Sequence, residues 1–460
     1  MARPAALSIW ALAGEAAANT PPGRDRVVDL LRGVSLAIVV LGHTLMAVVE
    51  WDGPRPVIGN LLAEIPELQI LTWVLQIMPV FFAAGAIANR ASWASWSSSG
   101  AAGHDWATWV WGRTARLVRP VLWFLAVWIP VVIVLGLTVG SDADPLARLS
   151  SQLLWFLGVY IVVVAFTPLE VRWAKAGVAP VAVLLAAVAV VDLVRFNTHD
   201  AVALINFVLV WLMAATLGLV VRDRIHRPRL LLGWAAGALA VEIGVVAFGP
   251  YPLSMVGMPG EKVSNMAPPT LALALHAVVL ICAVGAAWKP LQRWCERPRL
   301  WHAACFIGAI AMSLYLWHLS ALIVVTVAEH WTGLDRPLVG EPWFWTATLV
   351  HTIVCLAAVA GVVTVMAPLE HVKVPWLETT APNRAMPAWC AAVGIALIGV
   401  GLLAISATGL EGFPFGRIVR YAGVPLSPGL AVVFLAAGTI CVRASGRRAD
   451  GGRAGGPSYS

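Results

Sequence analysis

RDRVVDLLRGVSLAIVVLGHTLMAVV, residues 24–49, decides the fold. Residues 34–49 contain no aspartate, glutamate, lysine or arginine. A run of this kind reads as a membrane-spanning helix, with a histidine, His43, at membrane depth. An ionisable side chain there costs at least a few kcal/mol on insertion scales unless it faces protein or water, so it reads as functional by default. Arg32 precedes His43 by eleven positions. On a helix that spacing puts them about 20° apart around the axis and roughly 16 Å apart along it. One face thus offers a cation at one membrane boundary and a neutral-pH base deep inside, which suits a polar ligand threaded inward from the surface.

The rest of the chain repeats the pattern. Sixty per cent of its 460 residues are hydrophobic and 12% charged, with a mean hydropathy of +0.83. Twelve apolar runs read as spans: 30–50, 68–88, 117–140, 151–166, 178–195, 202–221, 230–248, 270–288, 303–327, 344–366, 388–408 and 426–443. The implied fold is an all-α polytopic membrane bundle. Residues 1–23 and 444–460 read as loose cytoplasmic tails, and the first does not read as a convincing signal peptide, its short apolar stretch being interrupted by Glu15.

Basic residues set the orientation. With the N-terminus inside, 24 of the 31 lysines and arginines fall on the cytoplasmic side. Arg55, Arg148, Arg195, Lys262, Arg336, Arg417 and Arg420 are left outside. This is the positive-inside pattern for a multi-pass protein of the cell inner or plasma membrane with both termini cytoplasmic. It also accounts for the net charge of +7 without nucleic acid as a partner. The six cysteines form no CxxC pair, so neither a disulfide framework nor a zinc site is expected. Trp51, Trp106, Trp109, Trp111, Trp331, Trp343 and Trp345 sit near span ends, as interfacial anchors do.

Several short motifs follow in order. Asp29-Leu30-Leu31-Arg32-Gly33 and His43 open the series, and Pro79-Val80-Phe81-Phe82-Ala83-Ala84-Gly85 ends the second span. Arg113-Thr114-Ala115-Arg116-Leu117-Val118-Arg119-Pro120 enters the third. Leu154-Trp155-Phe156-Leu157 and Tyr315-Leu316-Trp317-His318 come later. Together they resemble the R-x10-H, PxFFxxSG, RxxR and YLWH motifs of the acyltransferase family 3 membrane proteins, in that family's order. Ala84 stands in place of a serine, Ala311-Met312 where a Ser-Tyr pair is usual, and Glu370-His371-Val372 near the closing Glu-Arg-Pro. The resemblance runs from Arg24 to about Val372. It implies a ten-helix acyltransferase core, here residues 24–387, with two additional helices in 388–443.

That resemblance implies an O-acyltransferase with no bound cofactor, using acyl-CoA, acetyl-CoA above all, as co-substrate. The acceptor is a hydroxyl of a glycan, glycolipid or small molecule, and membrane lipid surrounds the protein. The chemistry asks for the same residue types independently. A hydroxyl attacking a thioester must lose its proton, and histidine has a suitable pKa for the task. His43 is therefore the candidate base, or else a nucleophile that carries the acyl group itself. Arg32 is placed to bind charge at the cytoplasmic face, and Asp29, three residues earlier, to orient it. Arg113 and Arg116 read either as a phosphate clamp for the donor or simply as topology signal. His318, with Tyr315 on the same face, reads as an acceptor or oxyanion contact, or as packing. Asp192, Glu242, His276 and His351 also interrupt apolar spans. Either acid reads as orienting a catalytic histidine or as pairing privately with another helix, and Glu242 is placed at or just behind the acceptor site. A proton-coupled transporter or flippase is the competing class, although no six-plus-six internal repeat is evident.

Overall fold

The computed structural model describes residues 9–21, 23–98, 105–370, 372, 374–378, 386–421 and 423–446. Both chain ends and His371 lie outside the described residues. The architecture is a bundle of α-helices with two short hairpins. Among the described residues eleven helical segments are long and apolar enough to cross a membrane, and a bent pair makes twelve. Lipid leaves backbone groups no water to bond, so helices are the expected solution.

Helix α1 is Ile9–Ala18 and α2 is Arg26–Met46. The hairpin β1 (Ala47–Asp52) and β2 (Arg55–Asn60) follows. The later long helices are α3 (Met78–Ser98), α4 (Trp106–Thr138), α5 (Leu154–Ala165), α6 (Ala179–Asn197), α7 (Asn206–Arg222) and α8 (Pro228–Phe248). Then come α9 (Leu271–Ala286), α10 (Trp288–Cys295), α11 (Pro298–Trp331), α12 (Phe344–Glu370), α13 (Ala388–Thr408) and α14 (Pro428–Ser445).

Two local expectations are corrected. The first span does not run helically to residue 50: α2 stops at Met46, and Ala47 pairs with Asn60 across an antiparallel hairpin. The β-branched Val48 and Val49 favour the strand, and Gly53, at φ 59°, supplies the left-handed turn residue. His43 therefore sits in the last turn of α2. Nor is the N-terminal tail loose throughout. Helix α1 stacks Trp10 on His302 of α11 at 4.2 Å between ring centroids, and Trp301 Nε1 donates to Thr20 Oγ1 at 2.7 Å.

The last two helices pack chiefly on each other and on α5. Small residues set that contact. A Cβ on Gly394 would lie 2.7 Å from the Gly438 carbonyl, and one on Gly158 3.0 Å from the Gly399 carbonyl. Backbones approach this closely only where side chains are absent, the usual device of membrane helix pairs.

Candidate active site

Helix α2 begins after Asp25, whose carboxylate receives Arg222 Nε of α7 at 3.0 Å. Twenty-one residues carry it to the turn that bears His43. Beside that turn lies the middle of α11 and the 315–318 motif. His43 Nδ1 and His318 Nε2 are 3.0 Å apart, with the rings nearly parallel at 16°. His318 Nδ1 lies 3.0 Å from the carbonyl oxygen of Leu314.

These contacts fix a proton order. A carbonyl only accepts, so His318 Nδ1 carries hydrogen, and in the neutral ring Nε2 then bears a lone pair. His43 Nδ1 must donate to it. The lone pair of His43 is left on Nε2. His318 is fully buried at 0% exposure, whereas His43 is partly exposed. The buried imidazole thus orients the accessible one, as a neighbouring hydrogen bond sets histidine tautomers generally.

Other motif residues hold this pair in place. Trp317 Nε1 donates to Glu370 Oε1 at 2.9 Å, and Ser313 Oγ to Glu370 Oε2 at 2.6 Å. The last residue of α12 therefore grips α11 over the turn that leads into His318. Tyr315 hydroxyl donates to the Leu153 carbonyl, and its ring packs on Phe156 at 5.4 Å. Phe156 in turn meets Phe81 and Phe82, each at 5.3 Å. A Cβ at Gly85 would come within 2.8 Å of the Tyr160 hydroxyl, so a side chain there would have to displace that ring.

Toward the other end of α2 lies a cluster of cations. Arg32 places its guanidinium 5.6 Å from the Phe81 ring centroid, and Arg113 sits 5.5 Å from that of Trp109. Arg113 is within electrostatic reach of Arg116, Arg32 and Tyr160. The Nε atoms of Arg32 and Arg113 are buried without a hydrogen-bond partner. Arg116 Nε donates to the Gly112 carbonyl at 3.0 Å. Among the described residues none of these three arginines forms an ion pair with a carboxylate. Nearby arginines behave differently: Arg90 pairs with Asp223 at 2.8 Å and Arg222 with Asp25.

Three sequence-derived site residues are committed elsewhere. Asp29 is bonded at 2.7 Å by Arg24 Nε and not by Arg32, because the carboxylate turns back toward the helix start. The Tyr315 proton is used by Leu153 and does not face the histidines. Glu242 pairs at 2.9 Å with Nδ1 of His276, on α8 and α9, helices other than those carrying His43 and His318. Asp192 caps α9 through the Leu271 amide at 2.7 Å and receives Tyr251 and Asn206. What sequence reasoning missed is the Leu314 carbonyl and the clamp by Glu370. A backbone acceptor leaves no mark in residue type, and Glu370 was visible only as part of a closing motif.

The helical bundle thus holds an oriented imidazole and, further along the same helix and beside it, arginines without carboxylate partners among the described residues. A family model described as an acyltransferase domain, that of acyltransferase family 3, matches residues 25–367, roughly three-quarters of the chain; the protein belongs to this family and is an acyltransferase. Helices α13 and α14 lie beyond the matched residues. No curated protein and no solved structure matches the chain.

Proposed function

We propose that the protein moves an acyl group, acetyl in the simplest case, from cytoplasmic acyl-CoA to a hydroxyl of a glycan, glycolipid or small molecule. The observation that carries this reading is the hydrogen-bond chain from Leu314 through His318 to His43, which leaves a lone pair on His43 Nε2. As the acceptor oxygen attacks the thioester carbonyl, Nε2 takes its proton and the C–S bond to CoA breaks. The proton passes to the departing thiolate. The transient imidazolium keeps its Nδ1–H bond to His318 and sits at the carbonyl end of α2, where a cation is favoured. An alternative use of the same lone pair is nucleophilic, with an acyl-imidazole as intermediate.

Arg32, Arg113 and Arg116 are the donor-binding residues in this reading. Guanidinium groups without carboxylate partners suit the phosphates of CoA. Arg32 and His43 share a face of α2, about 16 Å apart, so an extended pantetheine arm links the two ends of the site. The basic-residue distribution supports a cytoplasmic N-terminus and hence a cytoplasmic donor. His318 positions the base, and Tyr315 supports the wall beside it.

The test is release of free CoA from acetyl-CoA by the protein purified in detergent. Wild type is expected to turn over, and His43→Ala, at unchanged thermal stability, to lose about 10²- to 10⁴-fold of the rate. Equal rates in both proteins would remove His43 from the chemistry.

A further inference from the structure

A cavity of about 230 Å³ opens at the end of α4 remote from Arg113. Val132 and Leu135 of α4 form its apolar wall, and Ser141 and Asp144 its polar one. Gly412, in the loop that follows α13, closes it from the side of the additional helices. Ligand pockets usually hold about 300–1,000 Å³, so this one suits a single ring-sized group. Val132 follows Arg113 by nineteen positions, roughly 28 Å of helix, which is nearly the thickness of a bilayer core. The cavity and the arginine cluster therefore lie toward opposite ends of the bundle.

Two connections tie the cavity to the histidine pair. Trp128 Nε1 of α4 donates to Ser320 Oγ of α11 at 3.0 Å, and Ser320 stands two residues past His318. Val132 is one turn beyond Trp128, about 6 Å along the axis. The turn Gly140–Ala143 and the short helix Asp144–Ser151 also pack on β2, the second strand of the hairpin that follows the His43 turn. The charges on this wall are balanced. The Asp144 and Glu411 side chains are hydrogen-bonded to each other, so one proton is shared between them. Arg148 and Arg417 bond Glu411 at 2.8 and 3.3 Å, and Arg55 lies within electrostatic reach of Asp144. Three guanidinium groups around two acids disfavour a cation as ligand, and the Asp144 carboxyl on the wall disfavours an anion. A neutral group with hydroxyls on its edge and an apolar face is the complement.

We propose that this cavity binds one sugar ring of the acceptor, next to the group being acylated, and that Asp144 selects it; this rests on the acyl-CoA-dependent reading above. Ring hydroxyls donate to the Asp144 carboxyl oxygens and to Ser141 Oγ, while the C–H face of the ring packs on Val132 and Leu135. The cavity is a binding subsite and takes no part in proton transfer. It also gives the additional helices a task. Glu411 and Gly412 belong to the loop between them, lie beyond the matched residues 25–367, and complete a pocket whose other wall is core.

The experiment uses the full-length protein in a detergent without a sugar headgroup. The probes are methyl and octyl β-D-glucopyranoside, one ring carried either free or on a lipid-like tail. Binding is read by saturation-transfer NMR without acetyl-CoA, and turnover by CoA release with it. Wild type is expected to bind glucoside and to release CoA faster in its presence. A lower KM for the octyl glucoside points to a glycolipid as the source of the ring, and a lower KM for the methyl glucoside to a soluble glycan. Asp144→Asn, which keeps the size of the side chain, should raise the glucoside KM about tenfold, with the KM for acetyl-CoA near wild type. Gly136 also lines the cavity, and a Cβ there meets nothing within 4 Å, so Gly136→Leu fills the space without a clash. It should weaken glucoside binding at least as much, and leucine is a better helix former than glycine, which guards against a folding defect. No glucoside binding to wild type, or an unchanged glucoside KM in Gly136→Leu, overturns the proposal. Glucoside binding that Gly136→Leu abolishes, in a protein that neither binds acetyl-CoA nor releases CoA, keeps the sugar site and removes the acyl-CoA reading.

Discussion

His43 and His276 are both histidines on apolar helices, and both have Nδ1 held by a partner. The partners differ. His43 is held by a second imidazole and remains partly exposed, with an unpaired arginine further along the same helix. His276 is held by a carboxylate, Glu242, and both residues are sealed at 1% and 0% exposure. Intramembrane ionisation alone therefore does not mark a catalytic group. A base for an incoming hydroxyl needs an oriented lone pair, a path to it and a means of holding the rest of the substrate. His43 is oriented and partly exposed on a helix that also carries Arg32, while His276 is oriented and sealed.

The largest expected effect separates the two directly. His43→Ala should lose about 10²- to 10⁴-fold in CoA release, whereas His276→Ala, measured per folded molecule, should keep its turnover. A matching loss in a well-folded His276→Ala protein would break the distinction. Glu242→Ala turns the comparison toward stability. Removing one partner of a buried pair leaves the other unsatisfied, and a destabilisation of about 3–5 kcal/mol is expected in thermal or denaturant unfolding. The arginines come next. Arg113→Ala should raise KM for acetyl-CoA about tenfold or more, for loss of a charged phosphate contact of about 1.5–3 kcal/mol, with kcat little changed. Arg90→Ala, which loses an ion pair to Asp223, should leave that KM where it is. The smallest effect is at the far end of the bundle. Arg148 is 44% exposed and bonds Glu411 at 2.8 Å, so Arg148→Ala should shift stability by less than about 1 kcal/mol.

Much of the fold was legible because lipid allows few solutions. The twelve apolar runs correspond to the long helices, the eighth as a pair bent by 59° between α9 and α10. Local chemistry overrode the pattern at the end of α2, where two β-branched residues and a left-handed glycine make a hairpin from an apolar run. The site was legible in part. His43, Arg32 and His318 were visible as charges or imidazoles set among apolar neighbours, and the structure brings His43 and His318 into contact. Their proton order was not visible, since it depends on the Leu314 carbonyl, a group that every residue carries. Spacing alone suggested that Asp29 faces Arg32, and Arg24 takes it instead because five residues of chain return it to the same carboxylate.

The glycine contacts of the last two helices have a consequence for how the protein is made. Phe156 and Tyr160, which wall the site, lie on α5, and α13 closes over that helix through Gly399 against Gly158. Chains emerge from the ribosome N-terminus first. During synthesis the flank of α5 that meets Gly399 is therefore made well before its partner helix. Helices α13 and α14, joined backbone to backbone at Gly394 and Gly438, follow it in the chain and cover that flank. A chain stalled before residue 388 would hold every residue assigned to the chemistry and still lack the cover over one wall of its site.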